Sequence, residues 1–256
     1  LVGKVFQATS PNGRFTEGAK AIDGKLYQGI EAVGKNMFAF FGVKGEEPVV
    51  MHVHFGMSGV WATFDESKET EPETKETTRL RMYHQPSGLV THLSAMTVQH
   101  GGYEDLYQAK RKLLGQDPLR EDADSELLWR KVSKSKKSIG ALIMDQSCFC
   151  GPGNIYRAEI LFKAGVHPEV KGKDLTRAQF DMVWHHTVDL LQRGFQTGSI
   201  LTVDKDEAKA LGKPNLRRYI YNMAKCPRCS SSIKSWDMQT RTCYACPVCQ
   251  PLTTKG

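Results

Sequence analysis

Two pairs of cysteines near the end of the chain have the spacing of a metal site. Cys226 and Cys229 form one Cys-x-x-Cys pair, and Cys246 and Cys249 form a second pair sixteen residues further on. Four thiolates in this pattern are typical of a tetrahedral structural zinc site, with a β-hairpin between the pairs. Cys243 lies three residues before Cys246 and offers an alternative second pair, but both preferred pairs read Cys-Pro-x-Cys. We therefore predict one structural Zn²⁺ ion.

A glycine-rich turn opens a predicted helix in the middle of the chain. Its sequence is Cys150-Gly151-Pro152-Gly153-Asn154. Backbone N–H groups and the positive dipole end at a helix N-terminus form a natural anion site. Asn154 could cap this helix and also donate its amide to a phosphate; a purely structural turn is the alternative. Five basic residues lie just upstream, namely Arg130, Lys131, Lys134, Lys136 and Lys137.

The charge of the chain is unevenly distributed. The net charge of +7 divides into −3 for residues 1–124 and +10 for residues 125–256. A basic half indicates a polyanionic partner, with nucleic acid the leading candidate and a solvated basic face the alternative. The sequence contains no apolar run of roughly 20 residues, so we expect no membrane partner. Clustered cysteines without a secretory signal over residues 1–7 predict a reducing compartment, the nucleus in a eukaryote and otherwise the cytoplasm or nucleoid.

The first hundred residues have the alternating pattern of β-strands. Strands are predicted at 48–55, 79–83 and 89–93, with a turn at 85–88 between the last two. Short strands at this spacing suit a sandwich or a barrel. Residues 65–78 are rich in Glu, Thr and Lys and contain no apolar anchor, which predicts a mobile surface loop.

After residue 125 the apolar residues follow a helical period. Helices are predicted over residues 125–134, 138–146 and 154–162, and a fourth begins at Thr176. Thr176 and Gln179 form a capping box at its start, and Gly194 fits its C-terminal cap. We therefore predict an α+β multidomain protein. It has an N-terminal β-sandwich over residues 1–110, a linker over 111–124, a helical domain over 125–220 and a C-terminal zinc ribbon over 221–252.

Several stretches of the sequence match a known family. Residues 136–146, 151–162 and 164–168 closely resemble the helix–two-turn–helix motif of the formamidopyrimidine-DNA glycosylase/endonuclease VIII family. Shorter matches are Gly34-Lys35 before an apolar strand, His54-Phe55-Gly56-Met57-Ser58-Gly59 at a strand end, residues 114–119 as the interdomain linker, and Arg241 with Cys246–Gln250 as the zinc finger. The resemblance spans nearly the whole chain, and its motifs are specific in combination.

The resemblance implies a bifunctional DNA glycosylase and AP lyase that excises oxidised bases from damaged double-stranded DNA. The target nucleotide leaves the duplex, an amine attacks the sugar carbon to form a Schiff base, and elimination cuts the strand. Lys35 corresponds to a lysine that contacts phosphate and assists catalysis. Asn154 and Arg241 correspond to residues that hold the phosphates around the lesion. Met57 corresponds to a residue inserted into the gap left by the flipped base, and His54 to a phosphate contact.

These roles have structural alternatives. Lys35 could be a solvated strand-edge lysine, Met57 could fill the core, and His54 could be a satisfied strand histidine.

Two features depart from the family pattern. The family's nucleophile is an N-terminal proline followed by a catalytic glutamate, and neither precedes Leu1-Val2-Gly3-Lys4, which resembles the end of the first helix. We therefore expect that 15 to 20 residues are missing and that the chain as given binds DNA without excising a base. Residues 97–101 correspond to the family's Arg-Phe wedge, which is therefore either absent or replaced, and Gln99 and His100 could be the replacement.

Two other classes of protein compete with a monomeric repair glycosylase. One is a non-catalytic zinc-dependent DNA-binding relative. The other is a zinc-ribbon protein of the translation or transcription machinery, which would show no preference for abasic DNA.

Overall fold

The computed structural model describes residues 1–43 and 45–252. They form two units, Leu1–Leu113 and a second unit from Leu114 onward. The division falls inside the predicted linker, and the limits predicted at 124/125 and 220/221 stay predictions.

The first unit is the predicted β-sandwich. One antiparallel sheet has the strand order β1-β6-β7-β5 and the other β2-β3-β4-β8. The strands are β1 (Gln7–Thr9), β2 (Tyr27–Val33), β3 (Asn36–Phe41), β4 (Val49–His54), β5 (Val60–Asp65), β6 (Thr78–His84), β7 (Leu89–Ser94) and β8 (Thr97–Gly101). Apolar side chains of both sheets, among them Phe41, Met51, Leu80 and Leu93, meet helix α1 (Thr16–Ile22) in a buried core. The strands predicted at 48–55, 79–83 and 89–93 are confirmed as β4, β6 and β7.

The connection between β5 and β6 is the predicted loop, and it is fastened at its centre. The Glu71 carboxylate accepts two hydrogen bonds from Arg81, at 2.6 and 2.7 Å. His92 Nε2 lies 2.7 Å from the same carboxylate. Arg81 and His92 belong to neighbouring strands, so a carboxylate anchors this loop where an apolar side chain is absent.

The end of the first unit was not predicted to be helical. A π-helical segment, Tyr103–Gln108, continues into helix α2 (Ala109–Leu113), so the predicted linker begins inside a helix. The Tyr107 ring packs edge-on against the rings of Phe38 and Phe40, and its hydroxyl donates to Glu31 over 2.5 Å. This aromatic packing stabilises a segment whose sequence has no clear helical period.

The second unit consists of five α-helices, one short 3-10 helix (Gly172–Asp174) and one hairpin in the described residues. They are α3 (Ser125–Val132), α4 (Ile139–Met144), α5 (Asn154–Lys163), α6 (Arg177–Thr197) and α7 (Lys205–Ala210), followed by strands β9 (Lys234–Met238) and β10 (Arg241–Ala245). Side chains of α3 to α6 form one buried core, and α5 also packs against a second core that includes Tyr219 and Cys226. In the part of the chain that the structure describes, none of the helices has both the length and the apolar character needed to cross a bilayer.

Helix α6 confirms one predicted end and corrects the other. The Thr176 side chain accepts a hydrogen bond from the Gln179 backbone and the Gln179 side chain from the Thr176 backbone, which is the predicted capping box. The C-cap is Gly198, with φ of 61°, and the prediction of Gly194 was wrong. Gly194 lies within the helix, and a Cβ at this position would stand 2.0 Å from the Tyr156 hydroxyl oxygen on α5. Close packing between helices, not termination, accounts for this glycine.

Candidate nucleic-acid interface and metal centre

Four thiols of the second unit converge on one point. The Sγ atoms of Cys226, Cys229, Cys246 and Cys249 all lie within 4.8 Å of one another. Three of the Sγ–Sγ distances are 3.8, 3.4 and 3.6 Å. Tetrahedral zinc with Zn–S bonds of about 2.3 Å places its sulfurs ~3.8 Å apart, so this donor set fits the ion. Cys243 lies apart from it, buried against Ala141 and Met238, so the four thiols of the preferred assignment are the ones brought together.

The surroundings shift the pKa values of the thiols in both directions and hold the second pair in place. Hydrogen bonds from Ser231 lower the pKa of the Cys229 thiol to about 6, whereas burial raises the pKa of the Cys226 and Cys249 thiols. The second pair is held by Gln250, whose Oε1 accepts from the Cys246 N–H at 3.1 Å and whose Nε2 donates to the Val166 carbonyl at 2.9 Å. A bound dication would keep all four sulfurs as thiolates.

The hairpin between the cysteine pairs carries Arg241 at its tip. Met238 and Arg241 form the last pair of the β9–β10 ladder. The two turn residues, Gln239 and Thr240, have positive φ values of 51° and 62°. A β-branched residue rarely adopts this conformation. Arg241 follows this strained turn and is exposed.

Asn154 is the first residue of α5, and its side chain bonds to the hairpin. The N-cap is Gly153, without a side-chain cap, so the expectation that Asn154 caps the helix was wrong. Asn154 Nδ2 donates to the Thr242 carbonyl at 3.0 Å. Two of the residues predicted to contact phosphate, Asn154 and Arg241, are therefore joined through one strand.

The turn before α5 is braced by a glutamine. Gln146 Oε1 accepts from the Gly151 N–H at 3.0 Å, and its Nε2 donates to the Pro152 carbonyl at 3.1 Å. Two members of the basic cluster also support the segment before the turn. Lys131 Nζ donates to the Ser147 carbonyl at 2.5 Å, and Lys137 pairs with Asp145 at 3.1 Å. These two lysines therefore contribute to the shape of the turn.

Two buried charged residues of α5 escaped the sequence analysis. Arg157 is fully buried, and its Nη2 donates to Asn154 Oδ1 at 2.5 Å, to the Thr242 carbonyl at 3.2 Å and to the Arg241 carbonyl at 3.4 Å. Burial lowers its pKa. The available signal was the i,i+3 spacing of Asn154 and Arg157, which places both on one helix face.

Glu159 is the second of these residues, and it is also fully buried. Its carboxylate accepts from the Thr202 hydroxyl at 2.5 Å and from three consecutive backbone N–H groups, of residues 219–221, at 2.7 to 2.9 Å. These donors satisfy the buried charge and fix the segment that leads into the first cysteine pair.

The remaining predicted site residues lie in the first unit. Lys35 is exposed in the two-residue turn between β2 and β3, after Gly34 with φ of 58°. His54 ends β4, and its Nδ1 accepts from the Gly56 N–H at 3.2 Å. Met57 is 96% exposed, so it does not fill the core. The roles of these residues on DNA stay predictions.

The turn that carries Met57 is unusually tight. A Cβ on Gly59 would lie 2.6 Å from the Phe55 carbonyl oxygen, and one on Gly56, where φ is 73°, would lie 2.9 Å from Met96 Cβ. The segment expected to replace the wedge, 97–101, is strand β8, in which Gln99 pairs with His52 on β4. Gln99 and His100 are exposed on this strand, and their replacement of the wedge stays a prediction.

Comparisons with known proteins assign the chain to a class. Residues 114–206 match the family model for the formamidopyrimidine-DNA glycosylase H2TH domain. Endonuclease 8 1 of Mycobacterium tuberculosis is 34% identical over 258 residues, covering 98% of this chain and 93% of the relative. The chain belongs to the formamidopyrimidine-DNA glycosylase/endonuclease VIII family, as the sequence motifs predicted.

More distant relatives agree with this assignment. The formamidopyrimidine-DNA glycosylase of Legionella pneumophila is 34% identical over 146 residues, covering 55% of this chain and 53% of the relative. The Lactococcus lactis formamidopyrimidine-DNA glycosylase, solved with DNA containing an AP site, superposes with a TM-score of 0.76 at 23% identity, covering 98% of this chain and 93% of that chain. The structural likeness shows that the fold is shared.

Proposed function

We propose that the protein is a base-excision-repair DNA glycosylase and AP lyase that removes oxidised bases from double-stranded DNA. Family membership supports the general activity, since the relatives are glycosylases and endonucleases of this type. The observation that carries the proposal is the bond from Asn154 to the strand that begins with Arg241, 3.0 Å to the Thr242 carbonyl. It joins an amide donor at a helix N-terminus to a cationic side chain on a hairpin, two groups that bind phosphate.

The chain's own residues have distinct parts in this proposal. Asn154 and Arg241 hold phosphates around the lesion, and His54 adds a further phosphate contact. Met57, almost fully exposed on a turn, enters the space left by the flipped nucleotide. Lys35 contacts phosphate near the reacting sugar and assists catalysis.

A zinc ion bound by the four thiols supplies the folding free energy of the hairpin. The proposed chemistry is covalent: an amine attacks the sugar carbon of the extruded nucleotide, the base leaves, and a Schiff base forms. Elimination from this Schiff base breaks the bond from the sugar to a neighbouring phosphate and so cuts the strand. We also propose that the protein acts as a monomer in a reducing compartment, which keeps the thiols available to the metal. Light scattering of the purified protein tests the oligomeric state.

DNA binding is tested with duplexes that differ only at one nucleotide. We expect the chain to bind abasic-site DNA more tightly than intact DNA, and Arg241→Ala to weaken abasic binding by ~1–3 kcal/mol. In Arg241→Ala the slope of log K against log[salt] should decrease in magnitude by about one, the value for one lost phosphate contact. Equal affinity for both duplexes, or unchanged affinity of Arg241→Ala at physiological salt, contradicts the proposal.

A non-catalytic zinc-dependent DNA-binding relative is the alternative, because the four thiols and the joined Asn154 and Arg241 would serve DNA binding without any chemistry. Borohydride trapping of the full-length protein on abasic and oxidised DNA separates the two functions. A covalent adduct supports the glycosylase/lyase, and no adduct on any lesion supports the relative.

A further inference from the structure

We infer that Arg157 is a positioning residue that aims both Asn154 and Arg241 at the DNA backbone. The inference rests on the proposed function and adds to it a residue that is itself buried away from DNA. Its Nη2 donates to the Asn154 side chain and to the carbonyls of Arg241 and Thr242, so one group connects the helix to the hairpin.

The burial of Arg157 is costly and requires an explanation. The side chain is fully buried, and in the described residues its Nε and Nη1 have no hydrogen-bond partner. Burying a charge that is not fully paired costs several kcal/mol, and an apolar side chain of similar size often packs there at lower cost. The Nη2 contacts are what a hydrocarbon could not supply.

Arg157 orients the side-chain amide of Asn154, that is, it sets the positions of its Oδ1 and Nδ2 atoms. A guanidinium has only donors, so the Asn154 atom that faces it must be the acceptor Oδ1. The amide nitrogen then faces the Thr242 carbonyl, 3.0 Å away. An amide nitrogen carries two hydrogens, and the second is available for a phosphate oxygen. The guanidinium and the Thr242 carbonyl together fix this orientation, and the opposite orientation would present an acceptor, which phosphate repels.

Arg157 also fixes the strand that carries Arg241. The preceding turn residues, Gln239 and Thr240, have φ values of 51° and 62°. Such conformations are strained and persist only when the surroundings enforce them. The bonds from Arg157 to the next two carbonyls provide part of that enforcement. Asn154 and Arg241 therefore lose their geometry together when Arg157 is removed.

The experiment compares Arg157→Met with Arg157→Lys, because only lysine keeps a donor that can reach Asn154 Oδ1. We expect Arg157→Met to lose about tenfold or more in affinity for abasic-site DNA, the loss typical of one charge-assisted hydrogen bond. Arg157→Lys should recover most of this affinity. Arg177→Met is the matched control, since it removes the same charge from an exposed side chain that pairs with Glu126 and Asp181.

A double-mutant cycle distinguishes positioning from a general loss of stability. If Arg157 acts largely through Asn154, then Arg157→Met should cost much less affinity in an Asn154→Ala background than in the wild type. Asn154→Asp provides a variant that should fold even if Arg157→Met does not. Its carboxylate keeps an acceptor for Arg157 but loses the donor to the Thr242 carbonyl and to phosphate, so abasic-DNA affinity should fall.

The outcomes separate the inference from the function on which it rests. Full additivity in the cycle, wild-type affinity of folded Arg157→Met, or wild-type affinity of Asn154→Asp overturns the role of Arg157. If Asn154→Ala and Arg241→Ala also bind abasic DNA like the wild type, the proposed function itself fails.

Discussion

Replacing Gly194 by alanine tests the packing that places the start of α5. A Cβ at this position would lie 2.0 Å from Tyr156 Oη and 3.3 Å from Tyr156 Cζ. Alanine is favoured over glycine within a helix by ~0.8–1.0 kcal/mol, so an exposed site would gain stability. Overpacking against the tyrosine costs ~1–3 kcal/mol, and an overlap of this size belongs at the upper end of that range. We therefore expect Gly194→Ala to lower the free energy of unfolding by about 2 kcal/mol.

The same substitution should have the opposite sign once the tyrosine hydroxyl is removed. In a Tyr156→Phe background the nearest of these ring atoms is Cζ, at 3.3 Å, a contact that a small ring shift relieves. The helix propensity then dominates, and the alanine should raise the free energy of unfolding by ~0.5–1 kcal/mol. Urea denaturation of the wild type, both single variants and the double variant measures this coupling. Equal effects of alanine in both backgrounds would refute the packing argument.

Three further perturbations test other parts of the molecule. Removing zinc with a strong chelator should unfold the hairpin and abolish the preference for abasic DNA. It should also quench or shift the fluorescence of Trp236, whose ring stacks on that of His167 at 5.5 Å. An unchanged fluorescence spectrum after complete metal loss contradicts a structural zinc. Glu159→Gln turns an acceptor into a donor facing two donors, so it should destabilise the chain by ~2–5 kcal/mol in urea titrations, whereas the exposed Glu126→Gln should have a much smaller effect. Burial, followed by the charge of Lys110, lowers the pKa of His52 to about 4. The contribution of neutral His52 to stability is therefore present above pH ~6.5 and declines as the pH falls towards 4, by at most ~1.4 kcal/mol per pH unit. His52→Gln should flatten the slope of stability against pH, and an identical slope would show that His52 does not titrate in this range.

Local patterns predicted the parts of the fold that local chemistry determines. The capping box at Thr176 needs only two side chains three residues apart, and the strand at β4 needs only a run of strand-forming residues. The four metal-site cysteines were recognisable because two tight turns fix their spacing. In each case the signal lies within a few residues of the feature.

Features that depend on distant partners could not be read in the same way. Gly194 resembled a helix end because nothing in the sequence places Tyr156 against it. Arg157 and Glu159 resembled surface residues of an amphipathic helix, since charged side chains are rarely buried unless paired. Apart from Asn154, their partners lie 43 to 85 residues away in the chain and become adjacent only after folding. Strand β8 similarly depends on pairing with β4.

The strained turn at Gln239 and Thr240 limits how far the ribbon can be treated as an autonomous module. Type I′ hairpin turns prefer Asn-Gly, and this pair has neither residue, so its shape comes from tertiary bonds outside the hairpin. A synthetic peptide of residues 226–250 loaded with zinc would bind the ion yet present Arg241 in many directions. Grafting this finger onto another scaffold would therefore transfer metal affinity without DNA affinity, unless helix α5 were carried along with it.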